Sequence, residues 1–329
     1  MRAERTTARS TGSREQAVII GLNACVVTVI GDTPHVLTVK RDGIEGLPFG
    51  SFAPQEHRTL QMGLRDLVRE QTQLKLGYVE QLYTFGDRGR HVLEPGEGHR
   101  VVSVGYLALT RETAEGASAA GHWRSWYDFF PWEDWRQEKP SMIEAMIKPR
   151  LEAWAAASSA ERETRWDRAA LCFAFDGLTW DEEQVLERYE LMYEAGLVLE
   201  ARRDKRALPS SAPPAAEQAR FGEPMQFDHR RILATGMGRL RGKLKYRPVV
   251  FELMEPTFTL LELQRTVEAI TGVRLHKQNF RRLVESTGLV ERTGRQSNKA
   301  GGRPAEQFRF RREVLRERPS PGVKVRSRG

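Results

Sequence analysis

The alternation of apolar and polar positions predicts that the chain opens with a β-hairpin. Residues 18–30 and 35–40 alternate with the period of two that is typical of strands, and the turn-forming tetrapeptide at 31–34 joins them. Further strand-like runs lie at 79–85 and 100–110. We therefore expect a sheet in the first part of the chain.

Helical periods follow and interrupt these strands. Residues 57–73 place Leu60, Leu64 and Leu67 on one face, which we expect to pack in the core. Strands and a helix in this order predict an α+β sandwich. A second helical region, 142–202, has the character of an insert.

The chain of 329 residues is long enough for two domains. The segment 203–224 is rich in Pro, Ala and Ser and has little to bury, so we expect a linker there. The expected segments are a disordered arm at 1–16, a sandwich domain at 17–141, a helical insert at 142–202, a linker at 203–226, a winged helix-turn-helix domain at 227–313 and a basic tail at 314–329.

Charge is distributed unevenly along the chain, whose formal net charge is +8 at pH 7. Residues 228–329 hold 24 Lys and Arg against 10 Asp and Glu, a balance of +14, which leaves −6 for the rest. Clustered positive charge favours a polyanion partner such as nucleic acid. A well-solvated basic surface that binds nothing is the alternative at this point.

Composition argues against three other classes of protein. No apolar run approaches the roughly 18–20 residues that span a bilayer. The basic N-terminal segment is followed by residues that alternate like a strand, so a secretory leader is not expected. Two cysteines, Cys25 and Cys172, predict neither a disulfide framework nor a zinc cluster. A cytoplasmic protein without a membrane partner fits these features.

The stretch LPFGSFAPQEHRTLQMGLRDLVREQTQLKL, residues 47–76, resembles the Nudix box G-x5-E-x7-R-E-U-x-E-E-x-G-U, in which U is apolar. Gly50 and Glu56 fit the first spacing. One residue more than the motif separates Glu56 from Arg65, which begins the R-E-U part. The resemblance implies a nucleotide-binding role for Gly50, Glu56, Arg65, Asp66, Arg69 and Glu70.

The carboxylates of this helix depart from the enzymatic pattern. In Nudix enzymes, acids at positions i, i+3 and i+4 hold magnesium against a substrate pyrophosphate. Here these positions are Asp66, Arg69 and Glu70, so a guanidinium opposes the metal and offers the acids an ion pair. Thr72 also replaces the closing Gly. We expect no catalytic residues, no metal and weak or absent hydrolysis. An ordinary amphipathic helix with charge pairs is the alternative.

The sequence LYTFGDRGR, followed by GHRVVSVGYLAL, resembles the loop and strand after the box in Nudix proteins that act on ADP-ribose-like compounds. The resemblance adds Phe85, Asp87, Arg88 and Arg90 as candidates to line a nucleotide pocket, with the two arginines as phosphate partners. A solvated loop charge is the alternative for each arginine.

Two short helices in the basic region predict a helix-turn-helix. Thr259 and Glu262 form a capping-box pattern, so a helix is expected from Leu260 to Gly272. A second helix begins about three residues later and ends at Gly288, with Phe280, Leu283 and Val284 expected to face inward. The second helix of such a motif enters the major groove of DNA.

Polar residues on the second helix are candidates to contact bases. Arg and Lys can pair with guanine, and Asn and Gln with adenine. The candidate recognition residues are Lys277, Gln278, Asn279, Arg281 and Arg282. For Asn279, an internal helix cap is the alternative role.

Residues 289–293 and 307–310 alternate like paired strands around the loop GRQSNKAGGRPA, which is typical of a wing. Arg295, Lys299 and Arg303 are expected to touch phosphates or the minor groove. A basic hairpin that binds nothing is the alternative.

Taken together, FDHRRIL, RLRGKLKY, FTLLELQ, NFRRLVE and GRPAEQF resemble the C-terminal winged helix of the Nudix-related transcriptional regulators of NAD metabolism (NrtR- and NadQ-like), and the long insert is most similar to their alphaproteobacterial branch. The resemblance implies a homodimer that represses NAD synthesis or salvage genes from a palindromic DNA operator. It also implies an adenine-nucleotide effector, with NAD, ADP-ribose and ATP as candidates, and no required cofactor.

Two other functions stay open at this point. An active Nudix pyrophosphatase for ADP-ribose or NAD(H), with a DNA-binding appendage, would turn over ADP-ribose with magnesium. An RNA-binding or scaffolding protein would not bind a double-stranded palindrome.

Overall fold

The computed structural model describes residues 18–87, 100–111, 121–204, 207–297, 304–317 and 322–323. The predicted disordered arm lies outside these ranges, as do the candidate residues Arg88, Arg90, Lys299 and Arg303.

Strands form two sheets, one in each domain. The strands are β1 (Val18–Ile30), β2 (Thr33–Arg41), β3 (Ile44–Gly46), β4 (Phe49–Ser51), β5 (Tyr78–Phe85), β6 (Arg100–Leu109), β7 (Gly121–Ser125), β8 (Phe258–Thr259), β9 (Val290–Ser297) and β10 (Ala305–Phe310). The larger sheet has the order β3-β2-β1-β6-β5, with β4 paired to β1 and β7 to β2. The long pairing of β1 with β6 is parallel, and the β1–β2 hairpin expected from the sequence is confirmed.

Helices surround the larger sheet and continue into the second domain. They are α1 (Leu60–Thr72), α2 (Trp126–Phe129), α3 (Lys148–Ala156), α4 (Arg162–Phe173), α5 (Val185–Glu194), α6 (Leu199–Arg203), α7 (Ala215–Gln218), α8 (His229–Leu244), α9 (Leu260–Thr271), α10 (Lys277–Thr287) and α11 (Val314–Glu317). Short 3-10 turns cover Pro131–Glu133 and Val249–Glu252, and a π-helical turn at Ile143–Ile147 leads into α3.

The larger sheet is sandwiched between α1 and α8. Helix α1 buries Leu64 and Val68 against one face of β1 and β6. Helix α8 covers the other face, where it approaches so closely that a Cβ on Gly236 would lie 2.8 Å from the Cys25 sulfur. The described part of the chain thus contains the α/β/α sandwich that the sequence predicted.

The assignment of α8 to the second domain is wrong in structural terms. We expected the second domain to begin at residue 227, but α8 buries Ile232, Leu233 and Met237 in the core of the sandwich and the insert. Because α8 supplies one whole layer of the sandwich, its removal would expose the sheet. The amphipathic pattern of α8 shows which face is buried but not which partner buries it.

The prediction of a linker with little to bury at 203–226 is also wrong for the described residues. Phe221 and Met225 are fully buried, and the side chain of Gln218 donates a 2.7 Å hydrogen bond to the Gly196 carbonyl. Glu217 forms a 2.5 Å ion pair with Arg150 of α3. The prediction relied on the low apolar content of the segment. It failed because a few large buried side chains and polar contacts are enough to hold the segment against the rest of the protein. In the predicted basic tail, Val314 and Val323 are buried in the same way.

The second domain is a three-stranded antiparallel sheet, in the order β8-β10-β9, packed with α9 and α10. The capping box at the start of α9 is confirmed: Thr259 accepts a hydrogen bond from the Glu262 N–H, and Glu262 accepts one from the Thr259 N–H. Gly272 ends α9 in the left-handed conformation. This arrangement is a winged helix.

No helix within the described ranges has both the length and the apolar character that a bilayer span requires.

Candidate nucleic-acid interface and sensing site

Helix α10 has the two faces that the sequence predicted. Phe280 and Val284 are buried against the rest of the winged helix, which fixes the rotation of α10 about its axis. The opposite face is exposed and carries all five recognition candidates: Lys277, Gln278, Asn279, Arg281 and Arg282. A short polar helix presented in this way can enter a major groove without rearranging its core.

The start of α10 leaves its polar residues available to a partner. His276 precedes the helix, and no side chain caps it. Asn279 is exposed within the first turn of α10. Arg281 forms an exposed 3.2 Å pair with Glu285 one turn later, and such a pair is weak. The side chain of Arg281 can therefore exchange Glu285 for another acceptor.

The hairpin of β9 and β10 extends beyond the predicted strands into the wing loop. Arg295, at a glycine-containing bend of β9, is exposed as expected. Two other arginines of this hairpin are balanced by acids: Arg292 lies 3.4 Å from Glu306, and Arg309 lies 2.5 Å from Glu291. Among the described residues of this hairpin, Arg295 therefore carries most of the positive charge that no acid balances.

Helix α1 presents a charge pair where the Nudix pattern has a carboxylate cluster. The Arg69 guanidinium lies 2.6 Å from one Asp66 oxygen, and His57 Nε2 lies 3.1 Å from the other. Both oxygens of Asp66 are therefore engaged. Because a cation fills the position of a metal ligand, these residues do not fit a magnesium ion. No group of three His, Cys, Asp or Glu side chains converges as a metal site within the described ranges.

Other box residues have local structural roles. Arg65 donates hydrogen bonds to the Leu76 and Gly77 carbonyls, the latter at 2.9 Å, and so holds the chain that leaves α1. Gly50 lies against Leu67 of α1. Glu56 and Glu70 are exposed. Whether any of these residues touches a nucleotide stays a prediction.

Thr72, which replaces the closing Gly of the box, is fully buried. Its hydroxyl donates a 2.7 Å hydrogen bond to the Val68 carbonyl, and its methyl group faces Gly121 of β7. The left-handed position that often falls to glycine at a helix end lies one residue later, at Gln73. The departure from the motif therefore has a structural cause.

The predicted pocket residues Phe85 and Asp87 do not join α1. Phe85 is 2% exposed and packs in the core on the α8 face of the sheet, beside Gly105 and Ile232. Asp87 forms a 2.6 Å ion pair with Arg231 of α8. Since α1 covers the opposite face, Phe85 is a core residue rather than part of a pocket lined by α1. A bulge in β5 between Gln81 and Thr84 puts Leu82 and Phe85, which are three residues apart, on the same face of the sheet, so neither strand alternation nor a motif resemblance could have indicated this orientation.

Neither cysteine forms a reactive site. Both are unpaired and buried, and burial raises the pKa of the Cys25 thiol to about 12 and that of Cys172 to about 11. Protonated thiols are poor nucleophiles and poor metal ligands.

Sequence reasoning missed a set of donors that joins the two domains. Tyr127, Trp135 and Arg241 of the sandwich meet the C-terminal end of α9. The buried carboxylate of Glu133 supports them. The only signal of this contact in the sequence is Glu133, which lies in the aromatic run WEDW. Because such a run is expected to be buried, the charge of Glu133 needs a buried partner.

The fold defines a class of protein: a Nudix-type sandwich joined to a winged helix, whose α10 has an exposed polar face. Residues 250–310 match the family model of the NrtR DNA-binding winged helix domain. This part of the chain is therefore similar to the winged helices of that family.

One curated relative shares part of this sequence. An ADPR-responsive transcriptional repressor, NtrR, from Acinetobacter baylyi is 44% identical over 86 residues, which are 26% of this chain. The match spans only 34% of that relative, about a third of its length.

Solved structures share the fold of nearly the whole chain. NrtR from Shewanella oneidensis, in complex with a 27mer DNA, aligns over 90% of this chain and 95% of its own, with a TM-score of 0.52 and 19% identity. A MutT/nudix family protein from Enterococcus faecalis aligns over 90% and 87%, with a TM-score of 0.50 and 16% identity. Most of this chain therefore has a fold that solved structures share.

Proposed function

We propose that this protein is a ligand-responsive transcriptional regulator, a repressor that binds double-stranded DNA through its winged helix. One observation carries the proposal: α10 exposes Lys277, Gln278, Asn279, Arg281 and Arg282 while Phe280 and Val284 anchor its other face. The match of residues 250–310 to a DNA-binding family supports it.

The sandwich is the sensor in this proposal. The A. baylyi relative is described as responsive to ADPR, which supports an adenine nucleotide as effector, with ADP-ribose, NAD and ATP as candidates. Of the candidate ligand residues, Glu56 in the approach loop and Arg69 and Glu70 on α1 are exposed. We place the nucleotide at α1 and its approach loop, and the regulated genes in NAD synthesis or salvage.

We infer that the sandwich binds its ligand without hydrolysing it. The 2.6 Å pair of Arg69 with Asp66 removes a carboxylate from the place where magnesium would bind, and it supplies a cation that can itself face a phosphate. Loss of the metal site and gain of an anion partner both favour retention of an intact nucleotide over its cleavage.

A repressor of this kind acts as a homodimer in the cytoplasm. Two winged helices related by a twofold axis would contact the two halves of a palindromic operator in adjacent major grooves. A nucleotide in the sandwich changes DNA affinity if it binds one arrangement of the two winged helices better than another.

Two binding assays on the purified chain test the proposal. In a thermal-shift panel of ADP-ribose, NAD, ATP and nicotinate, a ligand at 100 times its Kd adds about 2.7 kcal/mol of stability. Fluorescence anisotropy on an operator, selected from random duplexes, should give an affinity at least about 10³ times that for scrambled DNA. Equal affinity for both duplexes, or preference for RNA, would contradict the proposal.

A further inference from the structure

The C-terminal end of α9 is capped by donors from the sandwich. The last carbonyls of a helix have no partner within the helix and carry the negative end of its dipole. Tyr127 donates its hydroxyl to the Ala269 carbonyl at 2.8 Å, and Arg241 donates Nε to the Ile270 carbonyl at 2.9 Å. The backbone N–H of Trp135 donates to the Gly272 carbonyl at 2.7 Å. We call these three donors the α9 cap.

A buried charge cluster fixes the α9 cap. Arg241 contacts one Glu133 oxygen at 2.5 Å, and Arg188 of α5 contacts the other at 2.6 Å through its Nε. The side chains of Glu133, Arg188 and Arg241 are all fully buried. Arg241 also donates to the Glu182 carbonyl at 2.9 Å. Because these hydrogen bonds go to fixed acceptors, they hold the Arg241 side chain in one position.

The backbone at the end of α9 fits tightly against the same cluster. Gly272 has φ +74°, and a Cβ at this position would lie 2.4 Å from the Glu133 carbonyl oxygen. A side chain would therefore strain the backbone and also push the two domains apart. The contact leaves little room for the winged helix to rock on the sandwich.

The turn between α9 and α10 is rigidly joined to the capped end. Glu268 accepts a hydrogen bond from the Leu275 N–H at 2.9 Å, and Gln264 donates to the Leu275 carbonyl at 2.9 Å. Arg274, in the turn, donates Nε to the Arg136 carbonyl of the sandwich at 2.7 Å. Helix α10 begins only two residues after Leu275. The orientation of α9 therefore determines that of α10.

We propose that Tyr127, Glu133 and Arg241 are positioning residues for DNA binding, which hold α10 in one orientation relative to the sandwich. They touch no DNA themselves. Tyr127 lies in α2, directly after β7 of the sheet, so the α9 cap connects the sensor to the recognition helix. The inference rests on the proposed function and assigns the contact through which the sandwich acts on the winged helix.

The test compares Tyr127→Phe with Tyr193→Phe in the full-length protein. Each change removes one hydroxyl from a buried ring: that of Tyr127 is bonded to α9, and that of Tyr193 donates to Asp204, just after the insert, at 3.0 Å. Because the bond of Tyr193 goes to a carboxylate, its loss should lower stability at least as much as loss of the Tyr127 bond to a carbonyl. A change seen only in Tyr127→Phe therefore does not come from a general loss of stability. Only the first change should alter the orientation of α10.

Two readouts separate positioning from stability. Amide hydrogen exchange over residues 271–280 of the protein without DNA should become about three- to tenfold faster in Tyr127→Phe and stay at the wild-type rate in Tyr193→Phe. Affinity for the selected operator should fall about three- to tenfold in Tyr127→Phe, while affinity for scrambled DNA changes less than about twofold. Arg241→Lys, which keeps the charge beside Glu133 but not the fork, should show the same pattern more strongly.

Equal exchange rates and equal operator affinities in the two tyrosine variants would overturn the inference. The exchange experiment needs no DNA, so it tests the α9 cap even if the wild-type protein proves not to bind DNA. If the wild-type protein does not bind DNA, the proposed function fails. The positioning role is also rejected if the exchange rate in Tyr127→Phe stays at the wild-type value.

Discussion

Arginines occupy two contrasting environments in this protein. Arg188, Arg230 and Arg241 are essentially inaccessible and serve the contacts between sheet, insert and winged helix. Arg281 and Arg282, on α10, are exposed. The buried arginines each satisfy several fixed acceptors, as Arg230 does with the Phe129 carbonyl at 3.0 Å and Glu200 at 3.2 Å. The exposed ones have at most a weak partner on their own helix.

The comparison shows why a charge count cannot locate a DNA-binding surface. The +14 balance of residues 228–329 includes the cations of α8, among them Arg230 and Arg241, which neutralise buried acids of the insert and the sandwich. Arginine suits both tasks because its planar fork pairs with carboxylates, carbonyls and phosphates alike. Burial and existing partners decide which task each arginine performs.

The largest effect is expected from removal of the buried acid. Glu133→Ala leaves Arg188 and Arg241 buried without their common partner, which should cost about 3–5 kcal/mol of unfolding free energy. Urea unfolding measures the loss. The matched control is Glu285→Ala, which breaks the exposed pair with Arg281 and should cost about 0.5 kcal/mol or less. Similar losses in the two variants would remove the distinction between the two environments.

The exposed arginines should affect DNA binding and not folding. Arg282→Ala is expected to cost about 1–3 kcal/mol of operator binding, if Arg282 pairs with a guanine, with unfolding changed by less than about 0.5 kcal/mol. Anisotropy across a salt series on operator and scrambled duplexes measures affinity and specificity. Arg162→Ala, at an exposed position of α4, is the control. If Arg281→Ala and Arg282→Ala both leave operator binding unchanged, α10 is not the recognition helix.

Acid should weaken the buried cluster by a smaller amount than its removal does. Burial by itself would raise the pKa of Glu133, but the charges of Arg188 and Arg241 hold that pKa below its ordinary value. A carboxyl with a lowered folded-state pKa stabilises the fold above its unfolded pKa of about 4.3, and this contribution is lost as pH falls through the folded value. Unfolding free energy should therefore fall more steeply below about pH 4 in the wild type than in Glu133→Gln. Parallel curves for the two proteins would show that folding does not lower the pKa of Glu133.

The smallest expected effect concerns the exposed charge pair on α1. Arg69→Glu restores the third carboxylate of the Nudix pattern and releases Asp66, which should raise magnesium affinity by up to about tenfold. Isothermal titration with magnesium chloride measures it. Arg58→Glu makes the same charge change at an exposed position before the helix and should have little effect. Equal magnesium affinities of the two variants would mean that the α1 acids do not form a metal site even when the third carboxylate is restored.

Local signals in the sequence predicted local structure well. The capping box of Thr259 and Glu262, the glycines that end α9 and α10, and the spacing of Phe280 and Val284 all act within a few residues of one another. Each therefore fixes its helix whatever the rest of the chain does. The exposed polar face of α10 could be predicted because it depends on that local periodicity.

Long-range partners could not be predicted in the same way. The burial of α8 on the sheet, the packing of residues 207–226 and the pairing of Glu133 with Arg241 join positions far apart in sequence. Phe85 was assigned to a pocket from a motif, although the face of a strand residue depends on the register of the whole sheet. A single sequence gives the polarity of such residues but not the identity of their partners.

The most direct test of the account is the affinity for operator DNA with and without ADP-ribose. Anisotropy titrations of the full-length protein should give Kd values that differ by at least about fivefold between no ligand and saturating ADP-ribose, because coupling between two sites is typically about 1–3 kcal/mol. The same difference should shrink in Tyr127→Phe. Identical Kd values at an ADP-ribose concentration that raises the Tm would contradict the account, because the sandwich would then bind its ligand without acting on the winged helix.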